Sequence, residues 1–158
     1  LSLCETVGMR LRRDGQAGSC VTIQLRTSEF ETWSHQMRLA SATNVTGELY
    51  QAACSLLDQA WDRKTPLRQL GVSVTQLADG TLRQYSLFDA ADYARQEKLD
   101  TAVDALREKF GEGALFRAAL LHSDERMAGG LHKKRRTGIT KPIEDEAARI
   151  RKKYGNND

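Results

Sequence analysis

Ser19-Cys20-Val21-Thr22-Ile23-Gln24-Leu25-Arg26 and Thr32-Trp33-Ser34-His35-Gln36-Met37-Arg38-Leu39 decide the fold. In both, apolar and polar residues alternate with a period of two, and Thr27-Ser28-Glu29 lies between as a turn. Val21, Ile23 and Leu25 alternate with Thr22, Gln24 and Arg26. In the second stretch Trp33, Met37 and Leu39 share one face, and Thr32, Ser34, Gln36 and Arg38 share the other. This is an antiparallel hairpin with one side for a core and one side for solvent or a ligand. His35 falls in the apolar register and is expected to tip toward the sheet edge.

Helices must cover the apolar side. Residues 1–14 read as the back half of a helix, with Leu3, Val7 and Leu11 every four residues and Arg10, Arg12 and Arg13 at its C-terminal end. Basic residues there complement the helix dipole. Asp14-Gly15 and Ala17-Gly18 are expected to break it. Residues 45–61 carry a stripe of Leu49, Ala52, Ala53, Leu56, Leu57, Ala60 and Trp61, the spacing of an amphipathic helix. Pro66 stops it. Residues 67–77 then read as another strand, with Leu70, Val72, Val74 and Leu77 apolar and Gly71 marking a bulge or a close approach. The sum is an α+β fold, a small antiparallel sheet with two helices on one face. The polar face, with Thr22, Gln24, Arg26, Ser34, Gln36, Arg38, Ser73 and Thr75, is left uncovered. Residues 96–110 predict a further helix with Leu99, Val103, Leu106 and Phe110 as its stripe, and Asp100 and Asp104 on a solvated charged face. Residues 114–121 are a short apolar piece, helix or strand. Residues 143–154 predict a last, polar helix.

The 158 residues suit one ordinary domain, or a small domain with an extension. The net charge of +3 hides a split. Residues 1–121 hold 14 basic and 15 acidic side chains, and residues 122–158 hold 10 and 6. A nearly neutral body with a basic tail favours an acidic partner such as nucleic acid. Lys133-Lys134-Arg135-Arg136 is either a nucleic-acid arm or a soluble tail. Cys4, Cys20 and Cys54 show no metal-ligand spacing, and His122 and His132 have no cysteine partner, so no metal site is expected. Buried, reduced thiols place the chain in a reducing compartment. No stretch is long enough to span a membrane, and the Asn44-Val45-Thr46 triplet reads as an accidental glycosylation match. Leu1 already lies inside a helical pattern, so the chain reads as part of something longer.

Gln84-Tyr85-Ser86-Leu87-Phe88 follows the last strand, with a polar amide at its head and two large apolar side chains at its tail. Such a pair either closes the core of its own domain or docks into a pocket of another protein.

The ordered set of these pieces resembles the C-terminal half of a bacterial Y-family translesion DNA polymerase, and its little finger above all. The stretches that carry the likeness are 8–15 (Gly8-Met9-Arg10-Leu11-Arg12-Arg13-Asp14-Gly15), the strands 21–26 and 32–39, Pro66-Leu67-Arg68-Gln69-Leu70-Gly71-Val72-Ser73-Val74, and residues 84–88 with the helix 99–111. The resemblance covers residues 1–121. It implies a little-finger-like domain over 1–89, incomplete at its start, a helical extension over 90–121 and a basic tail over 122–158. It also implies that the palm, with the carboxylates that hold catalytic Mg2+, lies outside this chain, so no residue here is catalytic and no cofactor is held here. The parent enzyme would be a DNA-directed DNA polymerase (a nucleotidyltransferase) of the SOS response and DNA repair, cytoplasmic and nucleoid-associated.

What remains is binding. The resemblance implies that Arg26, Thr32, Ser34, His35, Gln36 and Arg38 grip primer–template DNA without reading sequence. The family's usual Arg-Ser-Arg is His35-Gln36-Met37 here, so either the grip is weaker or Arg38 and the tail compensate. Residues 84–88 resemble the pentapeptide that binds the replication sliding clamp, with Tyr85 in place of the usual Leu. An accessory mutasome subunit is a further partner the family allows. The competing reading is a stand-alone, non-enzymatic module that binds clamp or DNA.

Overall fold

The computed structural model describes residues 1–80, 90–111 and 113–120. Residues 84–88, 133–136 and 143–154, with His122 and His132, lie outside the described residues.

The chain runs α1 (Ser2–Arg13), β1 (Gln16–Thr27), β2 (Thr32–Thr43), α2 (Thr46–Ala60), β3 (Leu67–Asp79), α3 (Ala90–Phe110) and a 3-10 turn (Ala118–Leu120). The strands form an antiparallel sheet in the order β2-β1-β3. β1, the most apolar, takes the centre. It pairs Val21, Ile23 and Leu25 with Met37, His35 and Trp33 on one side. On the other side it pairs the same three with Val74, Val72 and Leu70. Directly paired residues share a face, so three cross-strand rows, apolar except for His35, line one side of the sheet.

α1 and α2 lie over these rows, as the α+β reading requires. Cys4 and Leu11 of α1, and Leu49, Ala52, Ala53 and Leu56 of α2, join Val21, Ile23 and Leu25 in one core cluster. Val7, Trp33, Met37 and Val72 pack against its rim. Burial pushes the Cys4 thiol up to about 11. At the far end of α2 the Trp61 ring donates to the Thr65 carbonyl. Asp62 accepts from the Thr65 and Lys64 backbone N–H groups, and these bonds hold its carboxyl below the usual range.

Three sequence expectations give way. Ala17 and Gly18 do not break a helix; they are buried strand residues of β1, and only Asp14-Gly15 turns the chain. Gly71 marks neither a bulge nor a tight approach: a Cβ there would meet Gln24 at an ordinary 3.6 Å. The register shifts instead at Arg26/Thr27, opposite the start of β3, and at Gly18/Cys20 where β1 meets β2. Asp100 is not on a solvated face but 3% exposed. The Leu99, Val103, Leu106 and Phe110 stripe does not join the core: Leu99 is 56% and Phe110 64% exposed.

α3 docks through the neighbouring, charged side of the helix. Arg12 of α1 reaches Asp104 through Nε at 2.6 Å and Asp100 through Nη1 at 3.2 Å. Its Nη1 also donates to the Asn44 carbonyl at 2.6 Å. Asp100 accepts the Thr46 backbone N–H at 2.8 Å, so it caps α2, which has no side-chain cap from its own end. Arg107 and Arg117 both bind the buried Glu5 of α1, at 3.1 and 2.9 Å. Arg117 also pairs with Asp100. Gly8 lets this junction close: a Cβ there would lie 3.0 Å from Arg12 Nη1 and from Thr46 Oγ1. Asn44, Val45 and Thr46 are all buried at the same junction, so the glycosylation-like triplet is structural.

Candidate nucleic-acid interface

The face away from the helices is built by the same alternation. Arg26 pairs with Thr32, Gln24 with Ser34, Thr22 with Gln36, and Cys20 with Arg38. β3 extends these rows with Gln69, Gly71, Ser73 and Thr75. Among the described residues no helix covers them, because α1 and α2 occupy the other side. Thr32, Ser34, Gln36 and Arg38 are exposed and Arg26 is half-buried. Every one of these twelve register positions is neutral or basic, and none carries a carboxylate. Same-face residues along a strand repeat about every 7 Å, so Arg26 and Arg38 stand roughly 20 Å apart across the sheet.

Of the six residues singled out from sequence, the register gathers five. His35 pairs with Ile23 and therefore shares the face of the core. It stays exposed because β2 is an edge strand.

The hairpin tip adds two residues that the alternation pattern did not mark. Phe30, 55% exposed, takes a left-handed backbone with φ 70°. The guanidinium of Arg26 lies 4.9 Å from the centre of its ring, and that of Arg68 lies 4.8 Å away. Cation–π stacking of this kind holds both cations at one end of the sheet. The buried Nε of Arg26 has no hydrogen-bond acceptor. Arg68 reaches the tip through the register shift opposite Arg26 and Thr27, a feature invisible in residue spacing. Phe30 sits in a turn, where no period applies.

The arrangement suits contacts to a sugar–phosphate backbone. Hydroxyls, amides and spaced guanidiniums donate to phosphate oxygens without discriminating bases. It does not suit metal chemistry. Glu5, Asp100 and Asp104, the carboxylates gathered at the α1–α3 junction, are engaged by Arg12, Arg107 and Arg117. Among the described residues no group of three or more His, Cys, Asp or Glu side chains could hold a metal ion. Among them, too, no helix is long and apolar enough to cross a membrane.

A three-stranded antiparallel sheet backed by helices on one side defines an α+β domain. Residues 1–87 match the model of the impB/mucB/samB family C-terminal domain. The chain belongs to that family. It is 34% identical over 126 residues to DNA polymerase IV of Clostridium acetobutylicum, covering 80% of this chain and 32% of that protein. It is 36% identical over 124 residues to DNA polymerase IV 2 of Bacillus subtilis, covering 77% and 29%. With DNA polymerase IV 2 of Halalkalibacterium halodurans it shares 38% over 121 residues, covering 75% and 29%. The chain thus corresponds to about a third of the length of these relatives.

Proposed function

We propose that this chain is the DNA-gripping C-terminal part of a Y-family polymerase that copies damaged DNA. The observation that carries the reading is the open sheet face, which presents Arg26, Thr32, Ser34, Gln36 and Arg38 together with no carboxylate among them. Its cations attract the duplex backbone and release counterions. Its hydroxyls and amides then fix register on the phosphates. A polymerase that crosses lesions needs this indifference to sequence. His35, at the edge, would contact DNA only if the backbone wraps past β2. Nucleotidyl transfer and its Mg2+ belong to a palm domain outside this chain.

Residues 84–88 supply the second contact. An extended Gln84-Tyr85-Ser86-Leu87-Phe88 would seat Leu87 and Phe88 in an apolar pocket of the sliding clamp, while Gln84 bonds at the rim. They follow β3 and precede α3, and α3 is fixed to α1 by buried ion pairs.

Two measurements test this reading. Duplexes of equal length and unrelated sequence should bind the chain with equal affinity, and a strong sequence preference would contradict backbone gripping. A chain carrying Leu87→Ala and Phe88→Ala should lose capture by the bacterial clamp while keeping its affinity for DNA. Undiminished capture would remove the clamp contact from the proposal.

A further inference from the structure

Phe30 holds a backbone conformation that a bulky side chain rarely takes. Its φ of 70° lies in the left-handed region, where glycine or asparagine is at home. A phenylalanine there is strained, and strained residues of this kind collect at functional sites. Burial does not explain the choice. The ring is more than half exposed and stands outside the core cluster.

What the ring does hold is a pair of cations, the guanidiniums of Arg26 and Arg68, each less than 5 Å from its centre. Among the described residues neither arginine makes an ion pair or a side-chain hydrogen bond. Even the buried Nε of Arg26 has no acceptor. The ring is therefore the contact that orients both side chains. The same turn carries Glu29 and Glu31, both exposed and equal in number to the two arginines. Neither carboxylate takes up either guanidinium, so the cations are held by stacking in place of ion pairing. Stacking uses the flat face of a guanidinium. It leaves open the edge, where the N–H donors lie in the fork that fits a phosphate.

We propose that Phe30 is a positioning residue for DNA: its ring presents Arg26 and Arg68 together to the phosphates of one strand. This role rests on the DNA-gripping reading of the sheet face, and it adds Arg68 to the phosphate contacts. The tip lies at the Arg26 end of that face, with Arg38 at the other end. Glu29 and Glu31 offset the two arginines, so the tip draws DNA through directed contacts and not through net charge. Directed contacts need oriented donors, and the ring supplies the orientation. Phe30 has no charge of its own. Its removal changes the number of phosphates held only because it acts through the two arginines.

Salt titrations of the whole chain on one DNA duplex test the role. Arg68→Ala should make the log–log slope shallower by about 1, the share of one phosphate contact. Phe30→Asn suits the left-handed backbone and lacks the ring, and it should make the slope shallower by at least about 1. Phe30→Tyr keeps the ring and should restore the parent slope. In the Phe30→Asn chain, Arg68→Ala should change the slope little further, while Arg38→Ala should still flatten it, because that end of the face is intact. A Phe30→Asn slope equal to the parent's would overturn the proposal. So would an Arg68→Ala effect of full size in the Phe30→Asn chain, or a Phe30→Tyr chain that behaves like Phe30→Asn. If Arg38→Ala flattens the slope and the Phe30 and Arg68 variants do not, the tip's role falls and the sheet-face reading stands. Parent binding that ignores salt would overturn both.

Discussion

α2 and α3 carry apolar stripes of similar spacing, yet they dock in opposite ways. α2 buries Leu49, Ala52, Ala53 and Leu56 against the sheet. α3 turns Leu99, Leu106 and Phe110 outward and docks through Asp100, Asp104 and Arg107. The difference lies in what each helix finds. α2 meets the bare apolar face of β1, β2 and β3. By the time α3 returns, that face is covered by α1 and α2, and what remains at the back of α1 is polar: Glu5 and Arg12. A stripe therefore identifies the side of a helix that seeks apolar surface, and the docking side depends on which surface is free.

The contrast can be broken at several points. Truncating Leu49, fully buried in the core, should cost about 3 kcal/mol in denaturant unfolding, as large-to-small core changes do. Replacing Arg12 by Met strips Asp104 and Asp100 of a cation in a largely buried setting and should cost about 3 kcal/mol, with faster amide exchange concentrated in α3. If both helices were held by apolar contact, that exchange signature would be missing. A smaller effect is expected at high pH. The folded Cys4 thiol has its pKa raised to about 11 from 9.0, so the stability it contributes is complete below pH 9 and is lost as the pH rises toward 11. The same burial should leave Cys4 unalkylated in native protein at pH 8. The smallest effect falls on Asp62. Its lowered carboxyl contributes above the usual carboxylate range and fades as pH falls below it, so Asp62→Asn should slightly flatten the acid limb of stability.

The sheet was readable because a period of two in a half-buried hairpin allows one register only. Val21, Ile23 and Leu25 had to face one way, and Arg26, Ser34, Gln36 and Arg38 the other. α2 was readable because its stripe is continuous and meets that sheet. The dipole reading of Arg12 missed its partners because they lie across the fold on α3 and at the start of α2, and nothing in the local spacing of α1 announces them. Asp100 and Asp104 looked solvated because charged residues at helical spacing usually are. Arg68 and Phe30 were hidden by a register shift and a left-handed turn residue, both departures from regular period. His35 was legible as an apolar-register residue. Its place among DNA contacts came from the family resemblance, and the strand pairing sets it apart from the other five.

The central claim is that the open sheet face holds DNA by its phosphates, and the salt dependence of binding tests it most directly. Affinity for a duplex should fall linearly on a log–log plot against salt. In a chain with Arg26→Ala and Arg38→Ala the slope should become shallower by about 2, since each lost phosphate contact removes roughly 0.9. A slope unchanged by the double substitution, or binding indifferent to salt in the parent chain, would contradict the account.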